Sequence, residues 1–243
     1  MLRSIKEIIG YDLLATDGPI GHVKDFYFDD EAWGVRYVVV DTGGWLSGRM
    51  VLLSPESFTE PDWNTRQIPV GLTKQQIEQS PSVAAERPVS RQKQVQLSAY
   101  FGWTPYWGEP GSPPEVYLPG EALAPPPPAD EHQGDPHLRS LQEVLDYRIH
   151  AQEDKVGHVE DMLAATDVWA LRYLVVDTRN WLPGRKVLVS PAWVKEIDWN
   201  EGELDVDLSA EAIRNSPEFD YTKPVNREYE LKLYDYYGRP HYW

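Results

Sequence analysis

The sequence predicts a mainly β protein with short helices, laid out as two small β-barrels in tandem. Three observations carry this. Sliding the chain by 136 positions places residues 1–107 on 137–243 without a gap, with roughly four positions in ten identical. Within each copy, runs of β-branched and aromatic residues recur between turn signals at short spacing. Between the copies, residues 108–136 hold nine of the 21 prolines. The domain reading is therefore 1–107, a linker over 108–136, and 137–243. A duplication without gaps further predicts that the barrels pack as a pseudo-twofold pair, because twofold interfaces are self-complementary and survive fusion.

Taken in order, YDLLAT (11–16) is a strand ending at the turn pair Asp17-Gly18. HVKDFYFDD (22–30) brings Val23, Phe26 and Phe28 near one face. The chain reverses around Asp29–Ala32 into WGVRYVVVDT (33–42), and RMVLLSP (49–55) is a further short strand. PDWNTRQIPV (61–70) reads as a turn opening a last strand. Five or six strands in some sixty residues imply a barrel or sandwich, since a lone sheet leaves one face wet. Thr73 and Ser209 then act as N-caps of a short amphipathic helix that ends at Ser80-Pro81 and Ser216-Pro217. Residues 88–107 and 224–243 form aromatic tails expected to lie back on a barrel, their own or the neighbouring one. The linker carries six acids and no Lys or Arg, which suits a solvated, partly polyproline-II spacer better than a ligand of SH3 type.

Composition narrows function by exclusion. Zero cysteines among 243 residues remove disulfides, thiolate metal sites and cysteine nucleophiles. A net charge of −16 argues against nucleic acid as a partner. No run approaches 18 apolar residues, and the first residues show no secretory signal, so a cytoplasmic protein with no integral membrane segment is expected.

The pattern G-x-V-x-D, a short acidic turn, RYVVVDT or RYLVVDT, then VLLSP or VLVSP occurs in both copies. It resembles the PRC-barrel domain, the small β-barrel of the photosynthetic reaction centre H subunit and of the ribosome maturation factor RimM. The resemblance covers about 10–80 and 146–216, and REYELKLYDYYGRPHYW (227–243) looks like an extension of tandem PRC-barrel proteins. It implies a docking module with no catalytic residue set and no cofactor. With no membrane helix or separate domain ahead of the first copy and an acidic charge, neither a membrane-anchored H subunit nor a RimM-type ribosome assembly role is expected.

The candidate interaction or ligand residues follow from register. His22 and His158 recur three positions before Asp25 and Asp161; on a regular strand such residues point to opposite faces and meet only across a bulge. One imidazole per copy is too few for a metal site, and covering a sheet edge is the bland role for these histidines. Arg49 and Arg185 suit either an ion pair with Asp41 or Asp177, or satisfaction of backbone carbonyls. Trp45 and Trp181 fall in turns, where large rings need cover from the tail, the other barrel or a partner. Tyr236, Tyr237 and Trp243 close the second tail. Together these imply a non-enzymatic adaptor binding an unidentified protein, with self-association open. The alternatives are a metal or small-molecule sensor using His22 and His158 at a cleft between the barrels, and, by fold analogy alone, a reaction-centre accessory.

Overall fold

The computed structural model describes residues 1–81, 89–107, 134–152, 154–178 and 185–243. Most of the linker, and Trp181 with its turn, lie outside the described residues. The chain opens with β1 (Leu2–Ser4) and a single turn, α1 (Ile5–Ile8). Then come β2 (Asp12–Ala15), β3 (Gly18–Asp29), β4 (Val35–Asp41), β5 (Met50–Leu53), β6 (Gln67–Pro69), α2 (Lys74–Glu78) and α3 (Arg91–Phe101). The order resumes with β7 (Leu138–Ser140), α4 (Leu141–Val144), β8 (Arg148–Ala151), β9 (Asp154–Ala165), β10 (Ala170–Asp177) and β11 (Lys186–Val189). It closes with β12 (Val194–Asp198), β13 (Glu203–Val206), α5 (Ala210–Asn215) and α6 (Arg227–Tyr237). The protein is mainly β, with two sheets and short helices, as its sequence predicts.

Two compact units result. One is Ile9–Ser140, on a six-stranded sheet ordered β5-β4-β3-β2-β6 with β7 added to β3. The other combines Met1–Ile8 with Leu141–Trp243, on a seven-stranded sheet ordered β11-β10-β9-β8-β13-β12 with β1 added to β9. Each sheet thus ends its long strand with a partner that the local strand pattern does not reveal. The tripeptide Leu-Arg-Ser occurs at both places, in equivalent register: Leu2, Arg3 and Ser4 oppose Ala165, Ala164 and Leu163, while Leu138, Arg139 and Ser140 oppose Asp29, Phe28 and Tyr27. The strands β6 and β13 pair in parallel with β2 and β8, a non-local pairing beyond the reach of hairpin signals.

Close strand approach explains one repeated glycine. A Cβ on Gly21 would lie 2.0 Å from the Asp41 carbonyl oxygen, and on Gly157 2.2 Å from that of Asp177, with φ of 141° and 154°. No L side chain fits there. Trp33 and Trp169 instead take positive φ at the hairpin tips, and burial of their rings offsets that strain; Trp33 stacks on Phe28 at 5.4 Å.

β4 is buried almost continuously, which a one-faced sheet does not allow. The aromatic tail supplies the missing layer, and it is helical. α3 starts at the Ser90 cap and ends at Gly102, whereupon Trp103 meets Tyr37 at 6.4 Å and stacks on Phe101 at 4.2 Å. In the other unit α6, capped by Asn226, buries Glu230, Leu233 and Tyr234 and sets Tyr234 against Trp193 at 5.2 Å. Each tail lies on the sheet of its own unit. The short helices predicted after β6 and β13 form as expected: Thr73 makes a full capping box with Gln76 on α2, and Ser209 caps α5.

Candidate functional site

Each sheet carries one buried aspartate at the same position. On β3 the pairing with β4 slips between Val23 and Asp25, and on β9 the pairing with β10 slips between Val159 and Asp161. The extra residue, Lys24 or Glu160, rotates the next side chain inward. Asp25 is left 8% exposed and Asp161 1%.

A buried carboxylate has to be hydrogen-bonded. Ser4 Oγ donates to Asp161 Oδ2 at 2.5 Å, and Ser140 Oγ donates to Asp25 Oδ2 at 2.5 Å. The other carboxylate oxygen accepts the following amide, from Met162 or Phe26, at 2.7 Å in each case. Asp161 further accepts the Lys6 amide at 3.2 Å and the Tyr221 hydroxyl at 3.2 Å. Burial still holds the Asp161 carboxyl above the usual aspartate range against the pull of those donors. The Tyr221 hydroxyl is pushed up in turn, by burial and then by the Asp161 charge. Ser4 and Tyr221 line an open cleft of about 200 Å³, rimmed by Arg3, Glu7 and Lys223.

The histidines do not join these aspartates. A bulge does fall between them, yet Asp25 is buried while His22 is half exposed, its Nε2 4.0 Å from Asp41 Oδ2. Nor does His22 cover a sheet edge: β2 and β4 flank it on both sides, with Asp12 and Asp41 opposite. His158 occupies the matching place on β9, opposite Arg148 and Asp177. Among the described residues no group of three or more His, Asp or Glu side chains is placed to hold a metal ion.

Arg49 takes the backbone role rather than the ion pair. Its guanidinium donates to the carbonyls of Glu78 (2.8 Å) and Ser80, closing the open end of α2, and Arg185 does the same for Ser216 after α5. Trp45 finds its cover locally: its indole N–H donates to the Ile20 carbonyl at 2.6 Å, and Lys74 Nζ sits 4.5 Å above the ring. Trp181, its counterpart in the sequence, lies outside the described residues.

The tail residues do converge, around a buried polar group that sequence reading missed. Glu230 accepts the Tyr173 hydroxyl at 2.9 Å and the Tyr242 hydroxyl at 2.7 Å, and pairs with Arg227 at 3.2 Å. Arg227 lies 3.9 Å over the Trp243 ring and Arg172 lies 4.5 Å over Tyr242. Burial, then the Glu230 carboxylate, pushes the Tyr242 hydroxyl up to about 12. The other unit repeats the arrangement with a neutral centre: Gln94 accepts from Tyr106 at 2.6 Å and donates to Asp135 at 2.8 Å, which pairs with Arg91 at 2.7 Å. The rings of Tyr242 and Trp243 reach solvent, 40% and 45% exposed, and on α6 Tyr236 and Leu231 are 41% and 38% exposed. Tyr236 is anchored through its hydroxyl to the Ala212 carbonyl at 2.8 Å, and Tyr237 packs on Trp193 at 4.8 Å.

Among the described residues no helix is long and apolar enough to cross a membrane. No curated protein matches the chain. A family model does match, over residues 2–70, the stretch from β1 to the end of β6. Its first strand, Leu2–Ser4, is the one built onto β9. That model is the PRC-barrel domain, matched over residues 2–70.

Proposed function

We propose that this chain is a non-enzymatic protein-docking module made of two PRC-type barrels, and that it binds its partner through the aromatic end of α6. The observation that carries this is the exposed rings of Tyr242 and Trp243, held by Glu230, Arg227 and Tyr234, together with the exposed Tyr236 ring, anchored to the Ala212 carbonyl. Aromatic and arginine side chains are the residue types that dominate interface energetics, and rings already fixed in place lose little entropy on binding. The polar residues repeated between the copies support the same reading, since Asp25, Asp161, Arg49 and Arg185 are engaged in bonds that build the sheets and close the helices.

The test is capture from the organism of origin with wild type and with a Trp243→Ala, Leu231→Asp variant whose melting temperature is unchanged. A protein retained by wild type and lost by the variant, whose purified form then binds the variant at least about tenfold more weakly, is the expected result. Equal retention by both, or none by either, overturns the reading.

A further inference from the structure

The Leu-Arg-Ser strands are interchangeable in chemistry. Both are the same tripeptide, both add antiparallel to the far end of a long strand, and both end in a serine that donates to a buried aspartate at 2.5 Å. The ladder to β9 and the Ser4 and Lys6 bonds to Asp161 all join the arm Met1–Ile8 to the unit built around β9, so these bonds do not depend on how the arm connects to the rest of the chain. An empty seat would leave a buried carboxylate without its hydroxyl donor and expose the edge of β3 or β9. The seat therefore demands a strand of this kind.

We propose that a second copy of this chain supplies it: the arm Met1–Ile8 exchanges between two chains, each seating its Leu2–Ser4 on β9 of the other, to give a strand-exchanged dimer. The same contacts are made in monomer and dimer, which is the condition under which exchange is thermodynamically cheap. The arm is short, with one three-residue strand and one helical turn, so it leaves its seat without unfolding the sheet. Tethering favours the arm of the same chain through an effective concentration on the order of millimolar. Monomer is thus the expected form in dilute solution, and exchange becomes substantial when chains refold together at high concentration.

The absence of cysteine provides a clean probe. Leu2 and Ala165 face each other across the seam and both are partly accessible. Leu2→Cys chains and Ala165→Cys chains are mixed, unfolded, refolded at high concentration and oxidised, alongside a control mixture of Leu2→Cys with Glu60→Cys. Light scattering of the unmodified chain refolded the same way accompanies them. The expected results are a dimer of twice 27.9 kDa that persists on dilution, and a covalent heterodimer several-fold above the control. A chain that stays monomeric after refolding at high concentration overturns the proposal, as does a dimer whose disulfide yield equals that of the control.

Discussion

Ser4 and Asp161, 157 positions apart, share a hydrogen bond of 2.5 Å within the buried seam between β1 and β9. The bond joins the first turn of the chain to the bulge of a strand beyond the linker. It has a counterpart in Ser140 and Asp25. A bond to a buried charge is among the stronger kinds, and its loss strands an acceptor in apolar surroundings.

Ser4→Ala is accordingly expected to lower the stability of the unit holding β9 by about 1–3 kcal/mol, and Ser140→Ala to do the same for the unit holding β3. Urea unfolding, followed by tryptophan fluorescence, should show a lower midpoint with little change in slope.

Asp161 should also leave a mark on the pH profile. Its carboxyl titrates above the ordinary value of 3.8, so between those two points the folded chain holds a proton that the unfolded chain has released. Stability falls as pH rises through that window and stays at the lower level beyond it. Subtracting the profile of Asp161→Asn from that of wild type isolates this decline; a flat difference across the acidic range contradicts it.

His137 predicts a step at higher pH. Its Nδ1 lies 2.9 Å from Asp30 Oδ1, and this bond raises the imidazole above 6.5. The stabilisation is fully present below 6.5 and is lost as pH rises through the raised value. Because the ring is half exposed, the effect is local and screened by salt. The Asp30 amide, which donates to the His137 carbonyl, should lose exchange protection over that window beyond the intrinsic rate, and His137→Asn should abolish the step.

Gly21→Ala and Gly157→Ala each place a methyl against a backbone carbonyl at 2.0 and 2.2 Å, and are expected to cost more than about 3 kcal/mol or prevent folding. Gly44→Ala, with nothing within 4 Å, should change stability by less than about 0.5 kcal/mol. Thermal denaturation of the three variants makes the comparison.

Arg49→Lys keeps the charge and loses the fork that spans the Glu78 and Ser80 carbonyls. A loss of about 1–2 kcal/mol is expected, with faster amide exchange confined to α2 and the residues after it.

The candidate residues were legible in uneven degree. His22 and Asp25 stood out by register, and a bulge does fall between them at Lys24, yet Asp25 is bonded to Ser140 and the Phe26 amide while His22 stays half exposed beside Asp41; neither the bulge nor the distant serine leaves a mark in hydrophobic alternation. The Asp25 and Asp161 environments depend on serines 115 and 157 positions away. Glu230 was hidden in a tail whose aromatic density masked a helical spacing of Glu230, Leu233, Tyr234 and Tyr237. Arg49 had two readings, and only the position of the α2 terminus decides between them.

By itself the sequence determined the longer strands and the two short capped helices, because alternation, turn glycines and side-chain caps act over a few residues and compete with nothing distant. Tertiary structure decided which sheet receives Leu2–Ser4 and which receives Leu138–Ser140. A three-residue strand carries too little local preference to choose a partner, and the same tripeptide satisfies either seat; the choice falls to whichever buried aspartate and strand edge would otherwise go unpaired.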